Sequence, residues 1–186
     1  MNIFPKIAII VVWYSIALYV GAEALHHGHD APQQDAHLHG HTELMIAIEG
    51  STLEINFESP ASSIVGFEHK ATSSEQFQLI EGARAILESP IELFSFSGGD
   101  CSLSKADTDF SAISVQHKER QMSEQEHSEI TARYKYDCAQ AQSLDAVTVN
   151  LISRFPRIEK IKARWLTDTK QDSVELTSTF NLIRIR

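Results

Sequence analysis

The period of the apolar positions changes several times along the chain, and each change marks an element. Ile7 to Ala22 is an apolar run of sixteen residues broken only by Ser15 and Gly21. Lys6 stands before it, and the small residues Val20, Gly21 and Ala22 close it. A positive start, an apolar stretch and small residues at the end are the layout of a secretory signal, expected over 1–22. The run is shorter than the roughly 20 residues a spanning helix needs. The competing reading is an uncleaved anchor with Trp13, Tyr14 and Tyr19 at an interface; the lack of a basic stop-transfer flank speaks for cleavage. Residues 23–41 show no period and little apolar bulk, which predicts a flexible polar arm.

Leu44, Ile46 and Ile48 then alternate with polar or small residues, as do Leu53, Ile55 and Phe57, around Gly50-Ser51. This is a β-hairpin with a two-residue turn, ended by Ser59-Pro60. Thr72 with Glu75 has capping-box spacing and predicts a helix with Phe77, Ile80, Ala83 or Arg84, and Leu87 on one face. A short strand over Leu93–Phe96 follows, then a turn at Gly98-Gly99-Asp100. Strands are expected over 111–117 and over 130–138, where Ile130, Ala132, Tyr134 and Tyr136 alternate. Leu144, Val147 or Thr148, Leu151 and Phe155 keep helical spacing, although the β-branched run Val147 to Val149 blurs it. A final hairpin is expected from 158–167 and 173–185. The prediction is a single α+β domain over 42–186, mainly an antiparallel sheet of about seven strands with about two helices.

Charge narrows the partners. Sixteen Lys and Arg stand against 25 Asp and Glu, a net charge of −9. Nucleic acid and anionic membrane surfaces call for basic patches, so neither is an expected partner; no membrane insertion is expected after signal cleavage, and the chain reads as a monomer. An acidic field attracts cations. Cys101 and Cys138 are the two cysteines, with no C-x-x-C, which leaves out thioredoxin-type and four-Cys zinc motifs. Export favours a disulfide between them over two buried free thiols.

Six of the nine histidines, His26, His27, His29, His37, His39 and His41, fall between residues 26 and 41. Neutral imidazole is a ligand for zinc, nickel and copper. His37, His39 and His41 are two residues apart, so on a strand they share a face with Glu43, opposite Leu44, Ile46 and Ile48. A straight strand spreads the outer two by roughly 13 Å. One ion held by all three therefore requires a bend at Gly40 or help from His69, His117 or His127. The bland alternative is a low-specificity metal sponge or an inert tract. Taken alone, His69 reads equally as a structural histidine, and His117 and His127 as solvated. No H-E-x-x-H, G-x-S-x-G or phosphate-binding glycine loop is present, so no enzyme activity is expected.

The ordered set His37-x-His39-Gly40, Leu44 to Pro60, Gly66-Phe67-Glu68-His69, Leu93-Phe94, Cys101, Glu126-His127-Ser128-Glu129, Tyr134, Cys138, Phe155-Pro156 and Trp165 resembles the ZrgA-like, zinc-regulated periplasmic proteins of Gram-negative bacteria. The resemblance covers nearly the whole mature chain. It implies a periplasmic protein that binds Zn(II) and assists a zinc ABC importer. The matched metal positions are His37, His39 and His69, with His127 beside a segment often rich in His, Asp and Glu. Here that segment, 111–128, holds only His117 and His127, which shifts the expected metal-binding burden to the N-terminal arm. Cys101 and Cys138 match the two cysteines of the family. Two other function classes stay open: an envelope interaction module with an incidental arm, and a hydrolase built on three fixed histidines with an open zinc position.

Overall fold

The computed structural model describes residues 41–114 and 128–186, all of which fall within one compact unit, 36–186. The signal expected over 1–22, and the arm up to residue 40, lie outside the described residues. The predicted hairpin is present as β1 (His41–Glu49) and β2 (Thr52–Pro60), with Leu44 opposite Phe57 and Ile46 opposite Ile55. Gly50 sits at φ 58, and Ser51 keeps a negative φ. A primed turn with only its first central residue left-handed needs glycine there, and its twist matches that of the strands.

The hairpin is the centre of a six-stranded sheet ordered β4-β5-β2-β1-β7-β8. Beside β2 runs β5 (Glu129–Gln140), antiparallel, and beside that β4 (Gly99–Asp109). On the other side β7 (Lys160–Leu166) pairs with β1 in parallel, and β8 (Gln171–Leu176) closes the edge. A second sheet of three strands, β3 (Phe94–Ser97), β6 (Ala146–Val149) and β9 (Leu182–Arg184), has β6 in its middle. The described helices are α1 (Ala61–Ile64), α2 (Ser74–Leu87), α3 (Ser111–Ser114) and α4 (Leu151–Arg154), of which only α2 exceeds one turn.

One face of the large sheet is apolar and buried, and the other is charged. Leu44, Ile46, Leu53, Ile55, Phe57, Ile130, Ala132, Tyr134, Ile161 and Trp165 join one core cluster with Ile80 and Leu87 of α2 and Val147, Val149 and Ile183 of the small sheet. Each large aliphatic or aromatic side chain so buried contributes about 1.5–3 kcal/mol. Phe94 meets Tyr134 edge-on at 5.4 Å, and Phe96 meets Tyr136 at 4.8 Å, which fastens the small sheet onto the large one.

Five expectations need correction. The capping box is Ser73 with Gln76, one residue beyond Thr72 and Glu75; Gln serves at the third helical position as well as Glu does. Phe77 is accordingly part of the exposed flank of α2. Residues 111–114 form a helical turn instead of a strand, because Asp109 Oδ1 accepts from the Ser111 N–H at 2.8 Å and the Ser114 hydroxyl donates to the Phe110 carbonyl at 2.8 Å. The helix read over 144–155 is β6 followed by the single turn α4, so the β-branched run prevailed over the spacing. The last hairpin is β7–β8 only. A reversal at Thr177–Phe180 then sends β9 to the other sheet, giving nine strands and one parallel pair among the described residues.

The fifth correction is β4, read as a turn and otherwise unassigned. It is an edge strand of Ser, Lys, Asp and Thr with scarcely an apolar residue, so alternation left no trace in it. It is tied to β5 by register and by a Cys101–Cys138 disulfide between directly opposed residues. Gly98, at φ 80, lets the chain turn from β3 into β4 where a Cβ would lie 2.0 Å from the Ser143 carbonyl oxygen. Gly98→Ala should therefore cost about 3 kcal/mol or more, read as a lowered midpoint in chemical denaturation.

Two neighbouring tyrosines give an opposed pair of expectations. Tyr134 donates its buried hydroxyl to the Leu87 carbonyl at 2.8 Å. The buried Tyr136 hydroxyl has no partner among the described residues. Tyr134→Phe should lose about 1–3 kcal/mol by stranding that carbonyl, whereas Tyr136→Phe should be neutral or stabilising by about 1 kcal/mol. Burial also pushes the Tyr136 hydroxyl up to about 12. Its contribution is whole below the unfolded value of roughly 10 and is lost as pH rises through the folded value, so Tyr136→Phe should flatten the fall of stability between those limits. Denaturant midpoints measured at neutral and alkaline pH decide it. Equal losses in the two Phe variants would sink the assignment.

Candidate functional site

Of the predicted metal ligands, His26, His27, His29, His37, His39, His117 and His127 lie outside the described residues. Two histidines remain, His41 and His69. His41 is the first residue of β1 and stands in register with Lys160 of β7. From Thr42 onward β1 alternates as the sequence predicted, with Glu43 exposed and Thr42 and Leu44 buried. Thr42 and Ser59 are fully buried and share a hydroxyl–hydroxyl hydrogen bond of 2.9 Å, which satisfies both and holds the start of β1 against the end of β2.

His69 lies in the connection between α1 and α2, and it is exposed. Its ring stacks on Phe67 with centroids 5.2 Å apart. Nδ1 is 2.9 Å from the Lys70 carbonyl oxygen, and Nε2 is 3.5 Å from Gln76 Nε2 at the start of α2. The connection is pinned at two points beside His69: Ala71 N–H donates to the Ile113 carbonyl at 2.8 Å, and Lys70 Nζ to the Ser111 carbonyl at 3.0 Å. The α3 turn is thus fixed against the stretch that carries His69, while the Ser128 carbonyl accepts the Ala61 N–H at 2.8 Å at the start of α1.

Register puts these features at one end of the large sheet. A row of cross-strand neighbours crosses all six strands there: Asp109, Thr131, Glu58, Glu43, Lys162 and Glu175. Four carboxylates face one ammonium along that row, and Glu43 and Glu58 oppose each other directly. Like charges directly opposed are destabilising unless a cation lies near. Arg164, from the adjacent row, forms an ion pair with Glu43, and Lys160 with Glu175 at 2.8 Å. Exposed pairs of this kind contribute at most about 1 kcal/mol. The Ser111 N–H and hydroxyl hold the Asp109 carboxyl below the ordinary range, so it stays ionised at neutral pH.

Among the described residues no group of three or more His, Cys, Asp or Glu side chains is placed to hold a metal ion. The site so far described is therefore one exposed imidazole and an acid-rich sheet end. Two of its parts escaped sequence reasoning. Gln76 carries its signal in the capping box, seven residues beyond His69. The carboxylate row carries none, because it exists only through register.

No helix among the described residues is long and apolar enough to cross a membrane. Among curated proteins no sequence matches the chain. The family model described as ZrgA family zinc uptake protein matches residues 36–185, which include both sheets, His41 and His69. With four-fifths of its length matched, the chain belongs to the ZrgA family of zinc uptake proteins.

Proposed function

We propose that this is an exported, periplasmic zinc-binding protein that captures Zn(II) through histidines and assists high-affinity uptake by a zinc ABC importer. The observation that carries the reading is the position of His69. It is exposed and braced, at the sheet end where the chain enters from the histidine-rich stretch 26–41. Ser111 and Ile113 of the α3 turn, which precede His117 in the chain, are hydrogen-bonded to Lys70 and Ala71 beside His69. The carboxylate row and the net charge of −9 raise the local concentration of divalent cations there. Imidazoles then supply the borderline ligands that zinc prefers in tetrahedral sites.

Zinc is cargo in this reading, so the site has to release it. The exposed imidazole of His69 suits capture and hand-over, and no step is asked of the protein beyond ligation and exchange. The periplasmic setting accords with the Cys101–Cys138 disulfide, since such bonds persist in oxidising compartments.

Calorimetric titration of the untagged protein with Zn(II) tests the reading. His69→Ala should weaken the tightest site about tenfold or more, and alanine at His26, His27, His29, His37, His39 and His41 should remove most of the stoichiometry. Zinc binding unchanged in both variants would refute histidine capture at this end of the sheet and leave an interaction module as the better account. Protons compete with the metal for imidazole nitrogen, so affinity should fall as pH is lowered from 7.5 to 5.5, through about the 6–7 range of ordinary imidazole. A flat affinity across that interval would exclude histidine as the main ligand.

A further inference from the structure

His69 lies between two groups of opposite hydrogen-bonding character. On one side is the Lys70 carbonyl oxygen, 2.9 Å from Nδ1. A carbonyl oxygen only accepts, so Nδ1 carries the hydrogen and donates it. On the other side is the Gln76 amide, 3.5 Å from Nε2. The orientation of that amide is decided by the backbone. Gln76 Oε1 accepts the Thr72 N–H at 2.8 Å and the Ser73 N–H at 3.3 Å, and a backbone N–H only donates. The NH2 end of Gln76 therefore faces the imidazole, and it too only donates. Nε2 must answer with its lone pair. An acceptor-only neighbour and a donor-only neighbour thus select the same neutral tautomer.

The two contacts differ in strength. The one to Lys70 has ordinary hydrogen-bond length, whereas 3.5 Å is long against the usual 2.7–3.2 Å. The Gln76 contact therefore orients the ring while leaving the Nε2 lone pair open to a stronger partner. Metal-bound histidines characteristically donate their other ring N–H to a carbonyl or carboxylate, which fixes the ring and raises its basicity. His69 already has that arrangement. We propose that Gln76 is a positioning residue. Held by the N-cap of α2, its amide keeps His69 in the Nδ1–H tautomer, with Nε2 bare of hydrogen and presented to a divalent cation. This rests on the reading of His69 as a zinc ligand. It also explains why the third helical residue is Gln here: Glu would cap the helix equally well but would offer the imidazole no donor.

Gln76→Glu is the informative variant. Glu is the common residue at that position of a capping box, so the start of α2 is kept. Its carboxylate gives the imidazole an acceptor, and neutral His69 should move its hydrogen to Nε2. The measurement is long-range ¹H–¹⁵N correlation of the ring nitrogens in the full chain, metal-free and at mildly alkaline pH, with the His69 signals identified by their loss in His69→Gln. The unsubstituted protein should show Nδ1 in the N–H range and Nε2 in the hydrogen-free range, and Gln76→Glu should reverse them. Hydrogen on Nε2 in the unsubstituted protein, or one pattern shared by both proteins, would overturn the proposal. The first arm needs no variant, so a folding failure of Gln76→Glu would not shield it. Added Zn(II) probes the underlying reading separately. If the tautomer is as expected but Nε2 does not respond to zinc, the zinc role of His69 falls and the tautomer lock stands.

Discussion

The register of the β1–β2 hairpin is the constraint on which the rest of the molecule depends. It occupies the middle of the six-stranded sheet, so β5, β4, β7 and β8 all take their alignment from it in turn. Side chains alternate with a period of two, and a slip of one residue would send Leu44, Ile46 and Ile48 into water and Glu43, Met45 and Glu49 into the core. The short turn at Gly50-Ser51 and the buried Thr42–Ser59 hydroxyl pair fix the two ends of that register. Neither end can shift without stranding a polar group.

The same register creates the charged outer face and its uneven distribution. Basic side chains of β5 and β7 answer acidic ones of β1, β2 and β8, as in the pairs Lys135 with Glu54 and Arg164 with Glu43. In the row that holds Glu43, near the start of β1, four carboxylates stand against the single ammonium of Lys162. A protein that collects a divalent cation gains from a field of this kind, because it acts before any ligand bond forms. The field need not bind tightly, and exposed carboxylates in water do not.

Beneath the site, rigidity comes from α2. Its N-terminus is tied to His69 through Gln76. Its last turn is tied to the sheet through Tyr134 and to Phe110, just after β4, by Arg84 stacked over the ring at 4.6 Å. A side chain borne on a connection is usually loosely held. Here the connection is hydrogen-bonded on the C-terminal side of His69 through Lys70 and Ala71 and braced by the Phe67 ring, so an exposed imidazole acquires a defined orientation while the solvent keeps access to it.

The amino-acid sequence by itself determined the hairpin, the Ile80, Ala83 and Leu87 face of α2, the strand over 130–138, the pairing of the cysteines and the family. Each of these is written in local period, or in a residue pair with few alternatives. Wherever the local signal was weak or double, tertiary structure decided. Polar β4 is a strand because β5 offers it a ladder and a disulfide. Residues 146–149 are a strand because β3 and β9 flank them, although their spacing also suits a helix. The site divides in the same way. Histidine content and acidity were legible as an expectation of cation binding, since composition sets charge and ligand chemistry. The row of carboxylates, the parallel β1–β7 pairing and the Gln76–His69 contact were beyond the sequence. They are relations between residues far apart in the chain or set by a helix cap one residue away from its first reading, and only the folded register brings them together.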